Sequence, residues 1–262
     1  MANETIIKRI VHYDETDSTN DRAAAAAEAG EPSGTLFTAD LQTAGKGRRG
    51  RSWVAAKGTS IAMSLLLRPS FEAKKASQMT LLAAMAISGS VQRALDETCP
   101  DKNLKCQIKW PNDVLIGGKK ICGILTEMHS RPDGTYYVVI GVGINVNLTE
   151  FAPGLEDKAT SLLLETGKKF DRDTLIRYFG ESFCRFYRSY EKQGDLSEIT
   201  EDYDRMLVNR GRLVRIEGSE EKLTGTALGI NKEGELLVRT DDGQTRAVRS
   251  GEVSVRGIYG YV

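Results

Sequence analysis

The sequence predicts an α+β protein, a mixed central sheet with flanking helices followed by a small antiparallel barrel. Up to about residue 208, apolar strand-like runs interleave with long helical stretches, as a sheet covered by helices requires. After Asn209, short runs such as RLVRI, LTGTALGI and ELLVRT alternate with period two between Gly-Ser, Asn-Lys-Glu-Gly and Asp-Asp-Gly turns. At 262 residues and 40% hydrophobic, the chain can bury one substantial core and carry a small second module. Two unequal domains are expected, residues 1–208 and 209–262.

Residues 5–12 read as a strand, and Asp17-Ser18-Thr19-Asn20 supplies capping residues for an alanine-rich helix that stops at Gly30. Gly34 to Gln42 is strand-like, the run Gly45 to Arg51 is a loop, and Thr59 to Leu67 is an apolar strand ended by Arg68-Pro69. A long helix with an apolar face spans about 77–97. Strands follow near 105–110, 114–116 and 121–129, the last entered through the turn Gly117-Gly118-Lys119-Lys120. After a turn at Arg131-Pro132-Asp133-Gly134, residues 136–146 form a near-continuous buried strand, and helices are expected at about 158–166, 172–192 and 195–208.

Lys plus Arg and Asp plus Glu each number 36, so a weak net field gives no case for nucleic acid or an anionic membrane as the main partner. Cys99, Cys106, Cys122 and Cys184 stand singly, with no CxxC pair and no histidine at ligand spacing, which argues against a zinc site or a disulfide framework. The start of the chain has no apolar signal region, and no run reaches the ~18 apolar residues of a membrane span, so a cytoplasmic protein is expected.

Chemistry concentrates in a few segments. GKGRRGR, residues 45–51, packs three glycines and four cations into seven residues, so its backbone can approach an anion while its side chains surround it. It lacks the spacing of a Walker A loop, and alone it is equally compatible with a solvated or RNA-binding loop. KWPND, residues 109–113, presents Asn112 and Asp113 on a proline-fixed turn, an arrangement that turns also adopt with no ligand. In GKKICGIL a mid-strand Gly123 suggests close approach of a ligand or another backbone, and GVGINVN, residues 141–147, repeats that spacing. Trp53 and Trp110 could stack on a ring or simply pack, while His12 and His129 read as structural.

Taken in order, Ser18-Thr19-Asn20, Gln42, GKGRRGR, KWPND, KKICGIL and GVGINVN resemble the catalytic domain of the biotin protein ligase family, over about residues 5–208. The barrel after it is similar to that family's C-terminal SH3-like domain. The resemblance implies a class II synthetase-like catalytic domain that uses ATP and Mg²⁺ to make biotinyl-5′-AMP. It then implies transfer of biotin to a lysine of a biotin carboxyl carrier domain. It assigns Ser18, Thr19, Asn20, Gln42, Lys46, Gly47, Arg48, Lys120 and Gly123 to biotin, and Arg48, Arg49, Arg51, Trp53, Asn112 and Asn145 to ATP or the adenylate. Arg48, Lys120 and Asp113 become the catalytic candidates, with Asp113 also the candidate Mg²⁺ ligand.

Two positions depart from the family pattern. Lys46 stands where the loop most often carries arginine, and Val54 follows Trp53 where some members carry a second aromatic. Neither removes a charge. The 17 residues before Ser18 leave no room for a three-helix DNA reader, so the resemblance is to the single-function class. Two subunits could pair through open sheet edges. The rival readings are a lipoate or octanoate ligase of similar fold, and a non-enzymatic nucleic-acid-binding module whose binding would be steeply salt-dependent.

Overall fold

A computed structural model describes residues 5–218, 223–250 and 253–257. Residues 1–4, Ser219 of the expected Gly-Ser turn, Gly251-Glu252 in the last expected strand pair, and residues 258–262 lie outside the described residues.

Seven strands form the central sheet: β1 (Arg9–Tyr13), β2 (Thr35–Ala39), β3 (Ser60–Leu67), β4 (Cys106–Lys109), β5 (Asp113–Ile116), β6 (Lys119–Ser130) and β7 (Tyr136–Asn145). Their order is β1-β2-β3-β7-β6-β5-β4, with β1 and β2 parallel and every other neighbour antiparallel, so the sheet is mixed as expected. The parallel pair requires a crossover, and the alanine-rich helix α1 (Thr19–Glu28) supplies it.

Side-chain parity divides the sheet. On β3 and β7, Ile61, Met63, Leu65, Val138, Ile140, Val142 and Ile144 point into the large core, where α2 (Gln78–Thr98) and α4 (Arg172–Gln193) cover them. On the other face Phe37, Leu66, Tyr137 and Val139 meet Ala23 and Ala27 of α1. Small alanine side chains let that helix sit close to the strands. Beyond the helix, the same face carries Ser64, Gly123, Gly141 and Gly143, where little side-chain volume projects.

Gly89 lies in the middle of α2 on its exposed side, and a Cβ there would meet only Ser182 Oγ at 3.9 Å. Gly89→Ala should therefore stabilise the fold by about 0.5–1 kcal/mol. Thermal unfolding should show a midpoint raised by about 2 °C, and a lowered midpoint would refute this.

The helix expected at about 158–166 is confined to α3 (Leu162–Thr166). Residues 158–160 instead run beside the start of β6: Lys120 N–H donates to Lys158 O at 2.8 Å and Thr160 N–H to Lys120 O at 2.9 Å. A long-range ladder takes these backbone groups before a helix can. Ser18, expected among the capping residues of α1, occupies the N-cap but makes no capping bond; Asp17 accepts from its backbone N–H at 2.6 Å. At α4, Asp171 does cap, accepting from Thr174 N–H at 2.8 Å.

The chain then passes through α5 (Ser197–Met206) into a five-stranded antiparallel sheet: β8 (Leu213–Glu217), β9 (Leu223–Ile230), β10 (Leu236–Arg239), β11 (Thr245–Val248) and β12 (Ser254–Gly257). Its order is β11-β10-β9-β8-β12, the antiparallel C-terminal module that the alternation predicted. Its inward residues, Val214, Ile216, Ala227, Leu236, Val238 and Val255 among them, join the same apolar cluster as the central sheet. All four cysteines are free and buried, and burial pushes Cys106 up to about 12 and raises Cys122 further, so neither is a ready thiolate.

Candidate active site

The site begins where the parallel strands end. After β1 and β2 the chain stays paired, with a bridge between Thr16 and Gln42 and with Ala44 N–H donating to Asp17 O at 2.9 Å. Gln42 is thereby set beside the first turn of α1, and its Oε1 accepts from Thr19 N–H at 2.7 Å and from Thr19 Oγ1 at 3.0 Å. Deeper in, the Ser64 hydroxyl lies 2.6 Å from Asn20 Oδ1 and 2.8 Å from Thr19 Oγ1, while Asn20 Nδ2 donates to Glu127 Oε2 at 2.6 Å. Ser18, Thr19, Asn20 and Ser64 are all buried, so this network is held rigid in a low-dielectric setting.

The floor below it is made of glycine. Gly123 pairs across the sheet with Gly143, and Gly141 pairs with Ser64 and Leu125. A Cβ on Gly141 would sit 2.1 Å from Asn20 Oδ1, and one on Gly143 would sit 2.4 Å from Trp53 Cε2. The slot is a depression cut into a sheet face by leaving out side chains. The Trp53 indole lies on that floor with its Nε1 buried and without a hydrogen-bond partner, and only about 50 Å³ of the slot stays open.

Residues 45–53 arch over the slot as a narrow hairpin in which Trp53 N–H donates to Gly45 O at 2.8 Å and Gly47 N–H to Arg51 O at 2.7 Å. Gly45 is required there, because a Cβ would lie 2.4 Å from Trp53 O. Arg48 reaches over the far rim, donating to Asn112 Oδ1 at 2.8 Å, Ser250 O at 2.8 Å and Val253 O at 3.1 Å. Burial lowers its pKa, Asp113 opposes this, and Arg49 and Arg51 add to the lowering; an arginine stays charged through all of it.

Past Arg48 the slot opens into a cleft of about 430 Å³, lined by Arg49, Arg51, Lys109, Asn112, Asp113 and Asn145 among others. Lys120 stands at the junction. Its Nζ lies 2.6 Å from Asp113 Oδ1 and 5.7 Å over the Trp53 ring. A narrow polar slot for a small ring system therefore meets a wide cationic cleft at one half-buried lysine, which suits joining a small acid to a nucleotide.

Residues 14–145 match the model of the biotin/lipoate A/B protein ligase family, and residues 211–256 match that of the biotin protein ligase C-terminal domain. The chain belongs to the biotin protein ligase family. It is 38% identical over 245 residues to the bifunctional ligase/repressor BirA of Bacillus subtilis, across 93% of this chain and 73% of that one. It is 31% identical over 245 residues to the biotin–[acetyl-CoA-carboxylase] ligase of Paracoccus denitrificans, across 92% and 98%. Among solved structures it is similar to biotin protein ligase from Aquifex aeolicus in complex with biotin and ATP, with a TM-score of 0.78, 30% identity and coverage of 95% and 99%. The fold and the biotin ligase activity expected from the sequence both stand.

In this biotin ligase the slot is lined by all nine residues that the sequence motifs associated with biotin: Ser18, Thr19, Asn20, Gln42, Lys46, Gly47, Arg48, Lys120 and Gly123. The cleft is lined by all six associated with the nucleotide: Arg48, Arg49, Arg51, Trp53, Asn112 and Asn145. Two of them face other duties. The Lys46 ammonium is bound to Asp21 Oδ1 at 2.5 Å, a hydrogen bond that raises its pKa, and so its charge is directed at α1. Asn145 uses its amide to hold Thr160 O at 3.0 Å, fixing the segment that pairs with Lys120.

Sequence reading missed Ser64 and Glu127 at the slot, and Lys109, Val253, Val255 and Arg256 at the cleft. Lys109 was legible, since KWPND carries it and β-alternation from Asp113 places it at the same strand pair. The last three belong to the C-terminal module and carry no local signal. Among the described residues no helix is long and apolar enough to cross a membrane.

Proposed function

We propose that the slot takes the biotin head group, that Arg48 and Lys120 hold the biotin carboxylate against the α-phosphate, and that the cleft takes the rest of ATP. The product is biotinyl-5′-AMP with release of pyrophosphate, and biotin then passes to a lysine of a biotin carboxyl carrier domain. The observation that carries this reading is the position of Lys120 where the two cavities meet. The Paracoccus relative, named for acetyl-CoA carboxylase, supports a carboxylase carrier as acceptor. We take residues 1–208 as the catalytic unit and 209–262 as the C-terminal unit that closes one wall of the cleft.

Carboxylate and phosphate repel by roughly 4 kcal/mol at about 4 Å in an effective dielectric of about 20. Fixed cations cancel that cost without reorganising. Arg48 and Lys120 are two such cations, already held by Asn112 and Asp113. Bound Mg²⁺ would neutralise further phosphate charge. Asp113 is the one acidic side chain among the described residues lining the cleft, which fits an ion carried mainly by substrate phosphates and needing only one or two protein carboxylates. Hairpin 45–53 shields the reactive mixed anhydride from water. In the second step the acceptor amine must lose a proton, since near pH 7.4 a free lysine is neutral in only about one molecule in a thousand. Asp113 borders the junction and is the proposed proton acceptor.

Mass measurement of a carrier domain incubated with the chain, biotin and ATP tests the whole reading. One added biotinyl group per carrier is expected; an unmodified carrier, or lipoate used as readily as biotin, overturns it.

Lys109 gives the cleft a pH dependence. It is 4% exposed, and burial pushes its pKa down to about 8, against the opposing pull of Asp113. Below about 8 it is charged and attracts phosphate; above, the attraction is lost. The KM for ATP should rise as pH goes from about 7 to about 9, and Lys109→Met should flatten that profile at a uniformly higher KM. A profile unchanged by the substitution would show that another group titrates.

A further inference from the structure

Trp110 sits in the middle of KWPND and borders the cleft, yet its side chain is almost wholly buried instead of lying open as a stacking ring would. It is 1% exposed, and its Nε1 donates to Gly234 O at 3.1 Å, in the turn joining β9 to β10 of the C-terminal module. Its backbone N–H donates to Asn209 Oδ1 at 3.1 Å, at the junction between the two units. Gly234 is wedged as well: at φ +79°, a Cβ on it would lie 2.9 Å from Leu196 Cδ1 and 3.0 Å from Leu81 Cδ2. The turn is thus seated between α2 and the start of α5, with Trp110 as one of its polar anchors and Leu196 N–H, bound to Lys232 O, as another.

The same module reaches the cleft elsewhere. Val253, Val255 and Arg256 line it, and Val253 O accepts from Arg48. Two residues beyond Trp110, Asn112 accepts from Arg48 at 2.8 Å and ties itself to β6 through Ile124, donating to its O at 3.1 Å and accepting from its N–H at 3.0 Å. The module therefore meets the cleft at Trp110 and at Arg48, and its β9–β10 turn is also held by Leu196 N–H, which donates to Lys232 O at 2.9 Å, and by Asp204, which accepts from Ile230 N–H at 2.9 Å. The biotin slot is built without any residue of the module.

We propose that Trp110 is a positioning residue for the nucleotide: through its Nε1–H bond to Gly234 it seats the C-terminal module so that Val253, Val255 and Arg256 form the cleft wall. The proposal rests on the nucleotide reading of the cleft. Its signature is selective, because Val253, Val255 and Arg256 line the cleft and not the slot, whose tie to the module runs through Arg48, so ATP is weakened more than biotin. Trp110→Phe keeps a buried aromatic ring and removes the donor together with the volume of the second ring. Gly234→Ala unseats the same turn from the other side and leaves the tryptophan intact.

Each variant should raise the KM for ATP in biotin-dependent ATP–pyrophosphate exchange by about 3- to 10-fold, the scale of one lost neutral hydrogen bond. The KM for biotin should stay within about twofold. The double variant should be no worse than the poorer single one, since both break one link. Either variant decides the matter if only one folds, as judged by thermal unfolding. An unchanged KM for ATP in a folded variant, an equal rise in both KM values, or additive effects would overturn the proposal. Lack of exchange by the parent chain would instead overturn the assigned activity.

Discussion

Lys120→Ala should abolish adenylate formation at any biotin concentration, with kcat for biotin-dependent pyrophosphate exchange falling by about 100- to 1,000-fold. Lys120 stands where the slot meets the cleft, 2.6 Å from Asp113 and with its backbone clamped between Leu115 and the 158–160 segment. Its charge opposes charge that gathers as carboxylate meets phosphate, so the interaction strengthens toward the transition state and appears in kcat. The Lys120–Asp113 pair is largely shielded, with side chains 24% and 15% exposed. Removing the cation also takes from Asp113 one of its opposing charges, leaving Lys109 and Arg48 facing it. Lys120→Met retains the aliphatic stem beside Trp53 and Gly123 and removes only the charge, and it should lose as much. If the methionine variant kept parental kcat, Lys120 would serve packing and the charge argument would fail.

Much of this site could be read from local pattern because it is built on sheet parity and short loops. Gly123, Gly141 and Gly143 stand out in apolar strands, and period two places them on one face. The cationic run sits in a connection between β2 and β3, and Gly45 and Gly47 in it bear on backbone contacts within ten residues. Lys109 apart, the site residues with no local mark depend on long-range contact. Trp110 meets Gly234 across 124 positions and Arg48 meets Val253 across 205, and no periodicity marks either partner. The 158–160 segment departs from the expected helix for the same reason. Its helical pattern is genuine from Leu162 onward, but pairing with Lys120 outweighs propensity before that. Lys46 shows a third limit: its place in the loop was clear from sequence, but its bond to Asp21 depends on how the hairpin folds back onto α1.

Gly143→Ala should weaken biotin binding by about 10- to 100-fold, with much smaller loss of kcat once biotin is saturating. The added Cβ would project from the centre of the slot floor, 2.4 Å from Trp53 Cε2 and 2.7 Å from Cζ2. The backbone behind it cannot withdraw, because Gly143 is paired on both edges, to Ala62 on β3 and Gly123 on β6. Overpacking of such a site costs about 1–3 kcal/mol, which sets the expected loss. On the proposed reading the indole that lies on the floor moves aside for a bicyclic head group, since about 50 Å³ holds no such ring. The methyl group remains whichever ring occupies the slot. Calorimetric titration with biotin separates this from the lysine variant: Gly143→Ala should show a raised Kd with exchange recovered at high biotin, and Lys120→Ala a lost rate that biotin does not restore. A Gly143→Ala enzyme with parental Kd would place the head group elsewhere and take the glycine floor out of the biotin site.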